Sequence, residues 1–310
     1  MIAQLRTNRI VWAFGVLVVL WLAAMLFAHG FASISQVQYL SRTAGFLGLV
    51  AVGQTLVVVM GGIDLSVSGV VALAAVVCAQ VHAGSSSSAW AIGVALLASA
   101  VVGAFNGAGT LFLKVPPMVM TLGTGAIISG ALLIYTNGAP KSANIALLSS
   151  LANGNVLGIP LAFVLWAVAI AVGTWLLHAT RSGRYAFFLG SNVAASRASG
   201  VPIVSTSFIM YVACSMLAGA AGLVLLGFTG TSSLTMGNPY QLLSIAAVVL
   251  GGTSILGGRG HMTGTMAGAL LLTLLTALLA SWNLSEAVRQ MALGLLIILL
   301  LLVYAREQRS

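Results

Sequence analysis

The chain has 310 residues, 60% of them hydrophobic and 5% charged, with a formal net charge of +9. A soluble domain carries about 25% charged residues. Twelve basic and three acidic side chains cannot cover a water-soluble fold of this length, so the chain reads as an all-α integral membrane protein. The excess of bases does not point to nucleic acid, because the bases sit in loops at span ends, where topology places them.

Arg6 and Arg9 precede the first apolar run, 10–28. That run could be a signal peptide. Its length, the lack of a clear A-x-A cleavage site and the nine runs that follow favour a first membrane helix. Further runs lie at 43–60, 65–82, 89–113 and 117–136. After a polar stretch at 137–159 come 160–178, 205–228, 241–256, 262–281 and 286–304, making ten spans in one domain. With both termini in the cytoplasm, alternation puts Arg6, Arg9, Lys114, Arg181, Arg184, Arg197, Arg259, Arg306 and Arg309 inside. Arg42, Lys141 and Arg289 fall outside, the asymmetry that sets orientation.

Small residues recur at G-x-x-x-G spacing, at Gly103–Gly107 and Gly264–Gly268, where helix backbones can approach closely in lipid. A weak internal repeat relates V-V-V-M-G-G-I-D-L-S (57–66) to A-V-V-L-G-G-T-S-I-L (247–256), each joining two spans through a glycine pair on the cytoplasmic side. Two copies in the same orientation make a parallel repeat of the kind some transporters use.

The loop 179–204 contains a short helix in capped form. Ser191 or Asn192 can accept from the first-turn N–H groups. Val193, Ala194, Ala195 and Ala198 form a small apolar face beside Arg197, Gly200 can take the left-handed closing conformation, and Pro202 stops the helix. By pattern alone this is either a solvated basic loop or a helix pressed into another protein.

Three acids are present. Glu307 lies in the tail, and Glu286 follows Asn283 in a box-like helix start. Asp64, after Gly61-Gly62, can cap the following helix or form a gate at the cytoplasmic mouth. No span carries an acid near its middle, which argues against a proton- or sodium-driven carrier. The polar residues inside the spans are neutral: Gln54, Thr55, Asn106, Thr110, Thr121, Thr124, Thr273 and Thr276. They suit a neutral polar solute in passage, and equally suit bonds between helices. Cys78 and Cys214 read as buried small hydrophobes, and the four histidines as interfacial residues. The tryptophans, among them Trp12, Trp166, Trp175 and Trp282, mostly lie at span ends as an aromatic belt. There is no G-x-x-x-x-G-K-[ST], no H-E-x-x-H and no Cys/His metal spacing, so the chain cannot bind ATP through a P-loop and has no pattern of a membrane enzyme.

Four segments in order resemble the membrane permease subunits of bacterial ABC importers, in the ribose, xylose and related monosaccharide group, with branched-chain amino-acid permeases as more distant relatives. They are G-G-I-D-L-S-V-S-G-V-V-A-L (61–73), V-P-P-M-V-M-T-L-G-T (115–124) with G-A-L-L-I-Y-T-N-G-A-P (130–140), G-R-Y-A-F-F-L-G-S-N-V-A-A-S-R-A-S-G-V (183–201), and I-A-A-V-V-L-G-G-T-S-I-L-G-G-R-G (245–260) with G-T-M-A-G-A-L-L-L (264–272). The sequence departs from the family at Ser68-Gly69, where the order is inverted, and at Tyr240-Gln241-Leu242, where Y-E-L is frequent.

The resemblance implies a large-type importer fold of about ten spans in the bacterial inner membrane. It implies a second permease copy, cytoplasmic ATPase subunits that use ATP-Mg, and a periplasmic or lipid-anchored solute-binding protein. The chain itself would bind no cofactor and catalyse nothing. Gly190, Asn192, Ala194, Ala195, Arg197 and Gly200 would form the ATPase-coupling helix. Gln54, Asp64, Asn106, Thr121 and Thr124 are the pathway or gate candidates. A stand-alone secondary carrier or channel for a small polar solute is the alternative.

Overall fold

The computed structural model describes residues 9–27, 30–85, 87–282, 284–285, 287–295 and 298. Arg6, Asn283, Glu286, Arg306, Glu307 and Arg309, and much of the expected run 286–304, lie outside the described residues. The helices are α1 (Arg9–Phe27), α2 (Ile34–Val59), α3 (Val67–Ser85), α4 (Ser88–Phe112), α5 (Pro117–Thr136) and the short α6 (Ala146–Asn153). A two-residue ribbon follows, β1 (Asn155–Val156) antiparallel to β2 (Ile159–Pro160). Then come α7 (Leu161–Ala179), α8 (Arg181–Ser191), α9 (Val193–Ala198), α10 (Ile203–Thr229), α11 (Asn238–Leu250) and α12 (Met262–Ser281). Among the described residues, seven helices are long and apolar enough to cross a membrane: α2, α3, α4, α5, α7, α10 and α12. Hydrocarbon offers no partner to a free N–H or C=O, so these apolar runs satisfy their backbones internally as helices.

Local chemistry sets several helix starts. Ser33 caps α2 by accepting from the Gln36 N–H (3.3 Å), and Ser87 caps α4 through the Trp90 N–H (3.4 Å). Pro117 opens α5 at a position where the missing N–H is no loss.

The centre of the bundle is α2. Every residue from Ala44 to Val59 is buried, and α2 touches α7, α10, α11 and α12. Close approach is possible because Gly48 lies directly under the Trp166 ring of α7, where a Cβ would overlap the indole. Trp166 is fully buried, which corrects its place in the interfacial belt. Trp12, Trp175 and Trp282 are each more than half exposed. The glycine pairs serve helix packing. Gly103 and Gly107 of α4 face α10, and Gly264 and Gly268 of α12 rest on the backbone of Gly251 and of α11.

Two differences from the expected spans matter for function. The run expected at 43–60 is the end of a helix that already starts at Ile34. The run expected at 241–256 is not a span. Its helix, α11, has 13 residues and is about 20 Å long, short of the ~30 Å hydrocarbon core. It stops at Leu250 because Gly251 and Gly252 turn the chain.

The two ends of the bundle are distinct. At the ribbon end, Gln38 Nε2 donates to the Gly158 carbonyl (2.9 Å), Arg42 Nη2 to the Asn153 carbonyl (3.1 Å), and Ser232 Oγ to the Lys141 carbonyl (2.7 Å). The other end carries α8, α9 and the close of α4, with Leu111 and Arg197 lining one shallow pocket.

Candidate functional site

Helix α2 ends in a glycine turn. Gly61 takes φ +86°, its N–H donates to the Val58 carbonyl (2.9 Å), and the Gly62 N–H reaches back to Val57 (3.0 Å). This six-to-one closure is a Schellman turn. It reverses the chain, which then re-enters the bundle as an extended segment alongside α2.

Gln54 holds that segment. In the amide orientation that satisfies both partners, its side chain donates to the Asp64 carbonyl (3.1 Å) and accepts from the Asp64 N–H (3.2 Å). Gln54 sits five residues before the end of α2, and Asn106, which also serves this loop, six before the end of α4. At 1.5 Å per residue, Asp64 lies roughly 8–9 Å inside the helix ends. Of the two readings of Asp64, the cap is corrected, and the position is deeper than the mouth at which a gate was expected. The carbonyl of Ser66, not Asp64, accepts the first α3 bond, from the Val70 N–H (2.9 Å).

Asp64 is completely buried. Its Oδ1 accepts from the Ser66 N–H (2.9 Å) and the Ser66 hydroxyl (2.6 Å), and Asn106 Nδ2 donates to that same hydroxyl oxygen (2.8 Å). The Cys214 thiol of α10 adjoins the carboxyl, so Cys214 has a polar neighbour that the reading of it as a small hydrophobe did not include. The Tyr211 hydroxyl covers Gly62. Thr121 on α5 accepts from the Leu65 N–H (3.0 Å), and its own hydrogen faces the carbonyls of Ile63 (3.2 Å) and Pro117 (2.9 Å). Gln241 on α11 donates to the Leu65 carbonyl (3.1 Å). Non-helical backbone at this depth persists only when protein supplies its partners, and here α2, α5 and α11 supply them, while α4 holds the Ser66 hydroxyl.

Four of the five candidates read from sequence, Gln54, Asp64, Asn106 and Thr121, thus meet on residues 63–66. Thr124 does not join them; its hydroxyl bonds its own helix at Met120 (2.9 Å). Ser66, Tyr211, Cys214 and Gln241 were missed as partners. Only Gln241 carried a signal, as an amide where the pattern has an acid.

The segment 180–202 forms two helices. Thr180 caps α8 through the Gly183 N–H (3.1 Å), and Asn192 caps α9 through the Ala195 N–H (2.9 Å). Gly200 at φ +73° closes α9, with Gly200 N–H to Arg197 (3.1 Å) and Val201 N–H to Ser196 (3.0 Å). Apart from Ser196, α9 is exposed, and Phe188 and Val193 each show more than half their surface.

Gly190 of α8 connects this outer helix to the interior. A Cβ there would overlap the Val59 carbonyl oxygen and the Gly258 amide nitrogen. The Gly258 N–H donates to that Val59 carbonyl (2.8 Å), and Gly257 lies against Gly61 and Gly190. The two repeat loops therefore touch each other, with α8 across them. Both close by the same turn: Thr253 N–H to Val248 (3.2 Å) and Gly252 N–H to Val249 (2.9 Å), with Gly252 at φ +86°. In three dimensions Gly61 corresponds to Gly252, one residue out of register from the sequence match.

Residues 36–303 match the family described as the branched-chain amino acid transport system permease component. The chain belongs to that family. As a permease component it is a transport subunit and not an enzyme, and the seven long apolar helices among its described residues make it a multi-pass membrane protein. This permease is 34% identical over 264 residues to the ribose import permease protein of Escherichia coli (strain K12), covering 84% of this chain and 82% of that one. It is 32% identical to the ribose import permease protein of Haemophilus influenzae (strain ATCC 51907 / DSM 11121 / KW20 / Rd), covering 94% and 91%. It is 31% identical to the autoinducer 2 import system permease protein of Photorhabdus luminescens, covering 73% and 70%. No solved structure matches the permease.

Proposed function

We propose that this permease is the membrane-spanning subunit of an ATP-driven ABC importer, carrying a small neutral polar solute across the bacterial inner membrane. A monosaccharide or related polyol fits the ribose and autoinducer 2 relatives. The α9 end faces the cytoplasm, as do both termini, and a cytoplasmic ATPase seats on Asn192, Ala194, Ala195, Arg197 and Gly200. Among the described bases, Arg9, Lys114, Arg181, Arg184, Arg197 and Arg259 lie at that end, against Arg42, Lys141 and Arg289 at the other, in keeping with the positive-inside bias. A solute-binding protein meets the ribbon end, and two permease copies share the pathway.

The observation that carries the reading is the contact of Gly190 with Val59 and Gly258. It seats α8, which leads straight into the exposed, capped α9, on the last residue of α2, where the loop that holds Asp64 begins. A force applied to α9 reaches the centre of the bundle through two residues. ATP closure and the loaded binding protein then do work by favouring different permease states. Gln54, Asp64, Asn106 and Thr121 hold the gate segment between these states, and Thr124 lies one turn along α5 from it.

The test is reconstitution with the ATPase and binding protein. Ala194→Arg should abolish ATP-dependent uptake while leaving the permease in the membrane. Normal uptake by this variant refutes the coupling role. Gradient-driven uptake by the permease alone points instead to a secondary carrier or channel.

A further inference from the structure

A cleft of about 570 Å³ opens at the ribbon end between α2, α11 and α12. Its size lies within the ~300–1,000 Å³ of small-molecule sites. Along α2 it runs from Ser33 to Leu47, and on the facing side from Ser281 to Thr273. Fourteen residues of helix are about 21 Å, more than half the ~30 Å hydrocarbon core. Its floor is the first turn of α11, at Pro239 and Tyr240.

The lining is selective in its chemistry. Thr43, Thr273 and Thr276 spend their hydroxyl hydrogens on carbonyls of their own helices, at Tyr39 (3.0 Å), Ala269 (2.8 Å) and Leu272 (2.7 Å). What remains free on each is an oxygen lone pair, so a fitting solute must donate hydrogen bonds. Gln36, Tyr39 and Tyr240 add a carboxamide and two phenol rings, each with a donor. The described lining holds no acid and one base, Arg289. Acyl chains leave all of these groups unanswered, and a cation finds no counter-charge among the described lining residues. A neutral solute with several hydroxyl groups answers both the lone pairs and the donors, and its C–H faces can lie on the phenol rings.

We propose that this cleft is the outward half of the solute path and takes a neutral polyhydroxylated molecule, with Tyr240 as the group it rests on. The proposal rests on the importer reading and names the site at which it takes its solute. The floor residue is next to Gln241, whose side chain holds the Leu65 carbonyl (3.1 Å). The solute therefore sits one residue from the Asp64 loop.

The test uses the full importer in proteoliposomes and Thr276→Cys, a near-isosteric change. Cys78 and Cys214 are fully buried and leave a silent background. A water-soluble, membrane-impermeant thiol reagent applied from the ribbon side should label the variant. Excess D-ribose with the binding protein should slow labelling at least threefold. Labelling should cut uptake at least tenfold while ATP hydrolysis stays within twofold. No labelling, or full uptake by the labelled protein, overturns the proposal. If the parent importer shows no ATP-driven uptake of any neutral sugar, the importer reading fails instead, and labelling still reports whether water reaches the cleft. Tyr240→Ala should lower uptake at least tenfold, with Tyr240→Phe between it and the parent; parental uptake by Tyr240→Ala also overturns it.

Discussion

Replacing Gln54 by Leu removes both ends of the clamp on the Asp64 backbone. The bonds lost are Gln54 to the Asp64 carbonyl (3.1 Å) and the Asp64 N–H to Gln54 (3.2 Å). Side-chain bonds between membrane helices average only about 0.6 kcal/mol, because the unfolded chain in lipid also finds partners. The Asp64 groups differ, since they are backbone in an extended segment with no helix to fall back on. An orphaned buried polar group costs about 1–3 kcal/mol, so two such groups predict about 2–6 kcal/mol for Gln54→Leu. The adjacent residue supplies the control. Thr55 bonds Thr265 (2.7 Å) but also has the Ala51 carbonyl (2.8 Å), and Thr265 keeps His261 (3.4 Å). Thr55→Val should therefore cost no more than about 0.6 kcal/mol. Reversible unfolding of both variants in mixed micelles, followed by circular dichroism against denaturant, measures the difference. Equal losses for the two variants would refute the argument that the re-entrant backbone depends on Gln54.

Asp64→Asn keeps an oxygen for the Ser66 N–H and hydroxyl (2.9 and 2.6 Å), whereas Asp64→Leu strands both donors. Transport assays should show at least half of parental uptake for Asp64→Asn and less than a tenth for Asp64→Leu; loss of uptake in both variants would mean that the charge, not the hydrogen bonds, is needed. Trp166→Ala empties the space over Gly48 and should cost about 3–5 kcal/mol. Trp175→Ala, on the same helix but 62% exposed, should change stability by less than about 0.5 kcal/mol, and the same unfolding assay compares the two.

Features set by near neighbours were legible in the sequence. Asn192, Gly200 and Pro202 lie within one short helix, and the rules for caps concern groups three or four residues apart. The small-residue faces of α4 and α12 were equally visible, because helical spacing alone puts them on one side. The depth of Asp64 was not legible. Capping arguments look forward along the chain to α3, while its main partner, Gln54, lies behind it on α2 and meets it only after the Gly61 turn. The Gln241–Leu65 bond joins residues 176 apart, and no local pattern encodes it. The register of the repeat was off by one because either glycine of a G-G pair can take the left-handed turn position. At α2 the first does so, and at α11 the second. Helix α11 was read as a full span because apolar composition continues through Gly251 to Leu256, while the helix does not.

The shortness of α11 has a mechanical consequence. A helix is stiff along its axis, and this one is fixed at both ends. Gln241 ties its start to the Leu65 carbonyl, and its end runs through the Gly252 turn to Gly258, tied to Val59. Both anchors belong to one stretch of chain, the end of α2 and the loop after it, so helix and loop close into a rigid triangle with sides of about 20 Å or less. A triangle pushed at one corner cannot shear; it can only rotate. The corner that α8 touches, at Val59 and Gly258, and the corner that holds the re-entrant backbone, at Gln241 and Leu65, thus belong to one closed figure.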